Sequence, residues 1–308
     1  MNTAITTNAL SRSFGPLPAV RTVDLTVHEG EMFGIVGPDG AGKTTLIRLL
    51  CGILAPTSGT ARVLGKDILT ESDAVKREIG YLSQRFSLYG DLTIDENIEF
   101  FAEINGVYDF TQRREELLAF TRLTPFRTRL AERLSGGMKQ KLALACTLIH
   151  TPRMIFLDEP TTGVDPVSRR DFWKILQSLL GQGITIVMST PYLDEAERCS
   201  RVALMNKGGL MRVATPADLK ASMIGTVVEI ACDRVRDAYR ILKEQRPAIE
   251  VQAFGDRINV VLGDATAELP DIERLLAAAG VVISSRRTIA PSLENVFISL
   301  LTHSEGAA

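Results

Sequence analysis

The sequence predicts an α/β fold with a largely parallel sheet, joined to a smaller α+β domain. Short, continuous apolar runs such as Ile155-Phe156-Leu157 alternate with amphipathic stretches through the first two thirds of the chain. Such runs suit strands that are covered on both faces. Between residues 85 and 150 the strand signal gives way to helical periods, and after about residue 222 the pattern changes to βαββαβ.

Taken in order, the runs at 23–27, 32–36, 79–82, 154–158, 184–189 and 202–205 read as strands. Helices are expected to start at Lys43, Thr93, Gly137, Pro166 and Tyr192. Residues of about 86–150 read as a helical subdomain inserted into the α/β core. The first domain is placed at 1–222 and the second at 223–308. In the second, strands are expected at 226–231, 249–253, 258–262 and 281–285, with helices at 234–243 and 269–279. That is the order of a ferredoxin-like two-layer domain. A last helix at 292–301 closes it, and the tail at 304–308 is expected to be unstructured.

Composition narrows the function. The 308 residues are 45% apolar and 23% charged, as in a folded globular protein. With 35 basic and 37 acidic residues the net charge is −2, which argues against nucleic acid or an anionic membrane surface as the main partner. Cys51, Cys146, Cys199 and Cys232 show no metal-ligand spacing and read as buried free thiols in a reducing, cytoplasmic setting. The first residues lack the apolar stretch of a secretion signal. No run approaches the roughly 20 apolar residues that cross a bilayer.

The chemistry starts at Gly37-Pro38-Asp39-Gly40-Ala41-Gly42-Lys43-Thr44-Thr45, a match to G-x-x-x-x-G-K-[ST] placed between an expected strand and an expected helix. Glycines there let backbone N–H groups wrap a phosphate, and the helix N-terminus adds partial positive charge. Lys43 would reach the β- and γ-phosphates of a nucleoside triphosphate, and the Thr44 hydroxyl would ligate Mg²⁺. The run 154–159 ends in Asp158 and Glu159, two carboxylates at the C-terminal edge of a parallel sheet, where ligands bind. Asp158 would hold Mg²⁺, and Glu159 would polarise the water that attacks the γ-phosphate.

Leu134-Ser135-Gly136-Gly137-Met138, just ahead of that strand, completes a set that resembles the ATPases of ATP-binding cassette (ABC) transporters, P-loop NTPases, over residues 4 to about 222. The resemblance extends to Gln84, which matches the glutamine near the metal and attacking water. Asp165, in Gly163-Val164-Asp165, matches the loop at the cassette interface, and Phe14 the aromatic that stacks on adenine. It implies that Ser135, Gly136 and Gly137 cap the γ-phosphate on a second cassette, so that two cassettes close head to tail as a homodimer or heterodimer. It also implies ATP and Mg²⁺ as cofactors and integral membrane permease subunits as partners. The place of work would be the cytoplasmic face of the membrane. The second domain, with Ser-Leu-Glu-Asn-Val-Phe at 292–297, is similar to the appendage on ATPase subunits of ABC-2-type multidrug exporters.

Two positions depart from that family. Where a histidine usually follows Ser-Thr, the chain reads Ser189-Thr190-Pro191, and His28, His150 and His303 lie elsewhere. Proline offers no side-chain donor and no N–H. Either this site hydrolyses slowly or not at all and its signature serves a partner cassette, or Glu159 with Mg²⁺ suffices at a lower rate. Asp39 stands where asparagine is usual and brings negative charge toward phosphates. The stretch 85–89 (Arg-Phe-Ser-Leu-Tyr) reads as an anchor for a membrane subunit, with a loop tucked into the helical subdomain as the alternative. Arg127, Arg129 and Arg133 read first as a solvated basic loop, with a membrane-subunit contact as the alternative. The leading reading is the ATPase subunit of an exporter of drugs or other amphipathic molecules. A non-hydrolysing regulatory subunit is the second, and an ABC ATPase of translation or DNA repair the third.

Overall fold

The computed structural model describes residues 2–84 and 88–305. Residues 85–87 of the expected membrane-subunit anchor lie outside them. The chain divides into two compact units, 1–214 and 215–308. The division falls eight residues earlier than the sequence suggests.

The first unit opens with β1 (Thr3–Phe14), β2 (Leu17–Val23) and β3 (Thr26–His28), followed by β4 (Met32–Val36) and α1 (Lys43–Leu50). Next come β5 (Ser58–Val63), β6 (Lys66–Asp67), α2 (Ser72–Glu78) and β7 (Ile79–Leu82). The helical stretch holds α3 (Ile94–Ile104), α4 (Thr111–Thr121) and α5 (Gly136–Leu148). Then follow β8 (Met154–Asp158), α6 (Pro166–Gly181), β9 (Thr185–Thr190), α7 (Leu193–Ala196), β10 (Arg201–Asn206) and β11 (Gly209–Ala214).

Two sheets result. One runs β11-β10-β4-β9-β8-β7 and is parallel except at the β11 edge. Its central strands β4 and β8 are buried at every residue, which is why continuous apolar runs marked them. The other is antiparallel, built on β1 with β2, β3, β5 and β6. Helix α1 packs between the layers, where Phe33, Ile35, Leu46, Leu50, Phe156 and Val187 share one core. The strand expected at 23–27 is divided. β2 ends at Val23 and β3 begins at Thr26, and between them Asp24 accepts a hydrogen bond from the Ala9 N–H at 2.7 Å.

Helix α3 starts as expected at a capping box. Thr93 accepts from the Glu96 N–H, and Glu96 reaches back to the Thr93 N–H. Arg127 belongs to this helical framework. It pairs with Asp95 at 2.7 Å and with Glu115 at 2.7 Å, tying α3 to α4. Arg133 stays exposed.

The second unit comprises α8 (Pro216–Ala221), β12 (Thr226–Cys232), α9 (Val235–Gln245), β13 (Glu250–Phe254), β14 (Arg257–Leu262), α10 (Ala265–Ala278), β15 (Ile283–Ile289) and α11 (Leu293–Glu305). From β12 to β15 this is the expected βαββαβ order. Its antiparallel sheet runs β13-β14-β12-β15, with α9 and α10 covering one face through Leu242, Ile272 and Leu276. α10 begins four residues before the expected 269, because Asp264 accepts from the Thr266 and Ala267 N–H groups. α8 packs on α11, which explains the earlier boundary. α11 continues to Glu305, beyond the expected start of an unstructured tail, and residues 306–308 lie outside the described residues. Among the described residues no helix is long and apolar enough to cross a membrane.

Candidate nucleotide site

The C-terminal ends of β4, β8 and β9 lie side by side, and the register sets Asp158 opposite Ser189. The loop after β4 turns at Gly40 and Gly42, with φ of 78° and 102°. A Cβ on Gly42 would lie 2.3 Å from the Ala19 carbonyl oxygen, so only glycine lets this loop pass and launch α1. Lys43, 4% exposed, donates from Nζ to the Gly37 carbonyl at 2.8 Å and the Pro38 carbonyl at 3.1 Å. The same ammonium stands 3.2 Å from Glu159 Oε1.

Behind Lys43 lies a second cluster. The Thr44 hydroxyl donates to Asp158 Oδ1 at 3.0 Å, and the Ser189 hydroxyl donates to the same oxygen at 2.6 Å. Asp158 is fully buried and its Oδ2 has no hydrogen-bond partner among the described residues. A buried carboxylate oxygen left without a donor is costly unless a cation or donor meets it. A hydroxyl and a carboxylate are the hard oxygen donors that Mg²⁺ favours. Glu159 adopts a left-handed backbone (φ 49°), a strained place for a residue with a Cβ. Its N–H donates to Ser189 Oγ at 3.0 Å, and its Oε2 accepts from Gln84 Nε2 at 3.0 Å and Thr162 Oγ1 at 3.4 Å.

Lys43, Thr44, Gln84, Glu159 and Thr162 line one cleft of about 620 Å³, with Asp158 and Ser189 buried behind it. One end carries Phe14, which is 45% exposed at the end of β1 with the Arg12 guanidinium 4.7 Å from its ring. The middle is the loop from Asp39 to Thr45, and the far end holds Gln84, Glu159, Thr162, Pro191 and Tyr192. Asp39 turns its side chain outward, 94% exposed and 4.0 Å from Lys43, so water screens the charge that the sequence placed near the phosphates. The arrangement offers an aromatic face, a cradle of backbone N–H groups, a buried ammonium and the Glu159 carboxylate in sequence along one groove, with the Asp158 carboxylate buried behind Thr44. A nucleoside triphosphate presents complementary parts in the same order.

Seven residues picked out by sequence do not line this cleft: Gly37, Pro38 and Asp158 lie next to its lining, and Ser135, Gly136, Gly137 and Asp165 belong to the segments around α5 and α6. Ser135 caps α5, its hydroxyl accepting from the Met138 N–H at 3.4 Å, and is exposed together with Gly136. Gly137 is buried against α6, where a Cβ would lie 2.3 Å from Ser168 Oγ. Asp165 caps α6 by accepting from the Val167 and Ser168 N–H groups, which holds its carboxyl below its ordinary pKa, the Ser168 side chain contributing most. Ser189, Thr162 and Tyr192 carry no motif signal of their own. Ser189 was legible only as the partner that the parallel register sets beside Asp158.

A sequence-family model described as ABC transporter matches residues 20–162. A daunorubicin resistance ATP-binding protein of Streptomyces coeruleorubidus is 33% identical over 306 residues, covering 97% of this chain and 96% of that protein. The probable multidrug ABC transporter ATP-binding protein YbhF of Escherichia coli K12 is 49% identical over 230 residues, 73% of this chain. The match spans 40% of YbhF's own length. Among solved structures, a dimeric bacterial ABC transporter cassette aligns with a TM-score of 0.62 and 26% identity, over 68% of this chain and 98% of that one. Likeness over nearly the whole chain to one such protein, and over about seven tenths of it to others, settles the family: the chain belongs to the ABC transporter ATP-binding proteins.

Proposed function

We propose that the chain binds and hydrolyses ATP to power an exporter of drugs or other amphipathic molecules, whose membrane path is a separate permease. One observation carries this reading: Lys43, Glu159 and Gln84 meet in one cleft with the Thr44–Asp158 pair directly behind. Phe14 stacks on the adenine, and the N–H groups from Gly40 to Thr45 take the phosphates. Lys43 exchanges its contact with Glu159 for the β- and γ-phosphates. Thr44 and Asp158, with Gln84 nearby, would hold Mg²⁺, which when bound offsets phosphate charge. Glu159, released from Lys43 and held by Gln84, polarises the attacking water. Ser135 and Gly136, exposed at the start of α5, with Gly137 buried behind them, serve the γ-phosphate on a second cassette, and Asp165 shapes that junction. The names of the relatives support the exporter class, and the work would be done at the cytoplasmic face of the membrane.

Pro191 favours a second reading. It sits in the cleft beside Tyr192 and brings no hydrogen-bond donor to the γ-phosphate end. The chain would then bind ATP without hydrolysing it and lend Ser135 to a complete partner cassette.

Phosphate release by the purified chain beside a Glu159→Gln variant, alone and with its permease, separates the two. Turnover in the wild type and loss in the variant supports the motor. ATP binding without turnover in either protein overturns it and leaves the regulatory reading.

A further inference from the structure

Beneath the Pro191 segment lies a buried network that the nucleotide chemistry does not use. Glu195, 1% exposed in α7, accepts hydrogen bonds on both carboxylate oxygens. Its Oε1 takes the Thr161 hydroxyl at 2.5 Å, the Arg169 Nε–H at 2.6 Å and the Trp173 indole N–H at 3.4 Å. Its Oε2 takes the Thr190 hydroxyl at 2.6 Å.

The four donors come from three segments, two of which carry residues that line the far end of the cleft, Thr162 and Pro191. Thr161 follows Glu159 in the turn that carries Thr162. Thr190 ends β9 immediately before Pro191. Arg169 and Trp173 lie on α6, which Asp165 caps. The network continues outward. Arg169 also meets Asp194 at 3.4 Å, and its guanidinium lies 4.7 Å from the Tyr192 ring, which lines the cleft. Thr190 accepts the Tyr192 N–H at 3.0 Å, so one hydroxyl bridges the buried carboxylate and the turn in which Pro191 supplies no N–H.

A buried carboxylate is stable only when donors and an opposite charge surround it, and a network so satisfied holds one geometry. We propose that Glu195 is a positioning residue for hydrolysis. It binds the turn after Glu159, the end of β9 and the start of α6 into one rigid piece, and through Arg169 and Thr190 it fixes the Tyr192 ring at the mouth of the γ-phosphate end. This rests on the reading that the site hydrolyses ATP. The P-loop makes none of these contacts, so the network governs turnover and leaves binding alone.

The test uses Glu195→Gln in the full chain. The amide turns one acceptor into a donor that faces a donor, and it removes the charge opposite Arg169. The expected result is an affinity for a fluorescent ATP analogue within twofold of wild type and a kcat at least tenfold lower. A second variant, Glu195→Gln with Arg169→Met, removes the uncompensated cation and is expected to recover melting temperature without recovering kcat. Retention of kcat within twofold by Glu195→Gln overturns the proposal. Parallel loss of affinity and kcat, or recovery of kcat together with melting temperature in the double variant, reduces Glu195 to a structural role and also overturns it. Should Glu195→Gln not fold, Arg169→Gln on the partly exposed partner carries the same comparison of affinity with kcat. Wild-type protein that releases no phosphate would sink the hydrolysis reading by itself. Glu195 is then read through Trp173, the one tryptophan of the chain. A change in its emission on adding ATP that disappears in Glu195→Gln supports the network, and identical emission in both proteins overturns it.

Discussion

Thr44 and Asp158 are 114 residues apart in sequence, yet the threonine hydroxyl donates to the carboxylate at 3.0 Å. The contact joins the first turn of α1 to the last residue of β8, and it leaves Asp158 Oδ2 aimed at a place where no donor of the described residues reaches it. On the function proposed above, this pair would meet the cation that accompanies the phosphates.

Asp158→Asn keeps the shape and removes the charge. ATP turnover is expected to fall by on the order of 10²–10³, the range found when one electrostatic contact to the transition state is lost. Titration calorimetry with and without Mg²⁺ should show the stronger binding in Mg²⁺ disappear in the variant. Unchanged Mg²⁺ dependence would show that Asp158 does not face the metal.

Gly42→Ala places a Cβ 2.3 Å from the Ala19 carbonyl oxygen on a backbone of φ 102°. Strain of this kind costs about 1–3 kcal/mol. Lower melting temperature together with lost ATP-analogue binding is expected, whereas alanine at Gly40, where a Cβ meets no atom within 4 Å, should weaken binding less.

His150 is held in its neutral form by burial, which pushes its pKa below the ordinary value against the opposing effect of its contact to the Ile79 carbonyl at 2.9 Å. The unfolded chain takes up the proton near pH 6.5 and the folded chain at lower pH, so the folded state loses stability as pH falls from about 6.5. Melting temperatures at pH 7.5 and 5.5 should fall more for wild type than for His150→Gln, which retains a donor toward Ile79. Equal falls would remove His150 from the acid response.

All four cysteines are free and buried. Burial pushes the thiol of Cys199 up to about 12 and raises Cys51, Cys146 and Cys232 as well. The thiolate is the reactive form, so at pH 7.5 the native chain should resist iodoacetamide and take up four labels only in denaturant. Mass spectrometry of the native reaction decides it.

The sequence was most legible where burial is continuous or nearly so. β4, β7 and β8 lie at the residues their apolar runs predict, and α1 starts at Lys43 because the glycines ahead of it permit nothing else. The P-loop residues from Asp39 to Thr45 share one cleft with Gln84, Glu159 and Phe14. β1 escaped because only some of its twelve residues are buried, and they follow no clean alternation. Without β1 the antiparallel sheet, and the reason Phe14 stands at the cleft, stayed hidden. Ser189 and Glu195 escaped for another reason. Their partners lie on neighbouring strands and helices, and only sheet register and the packing of α6 bring them together.

The boundary at residue 214 bears on how this chain can be divided for experiments. A fragment cut after residue 222 would retain α8 without α11, the helix it packs on, although Leu219 of α8 is wholly buried in the intact chain. Such a fragment invites aggregation that has nothing to do with ATP. A stop after Ala214 ends at the last residue of β11, a hydrogen-bonded sheet edge, and carries no orphaned helix into the assay.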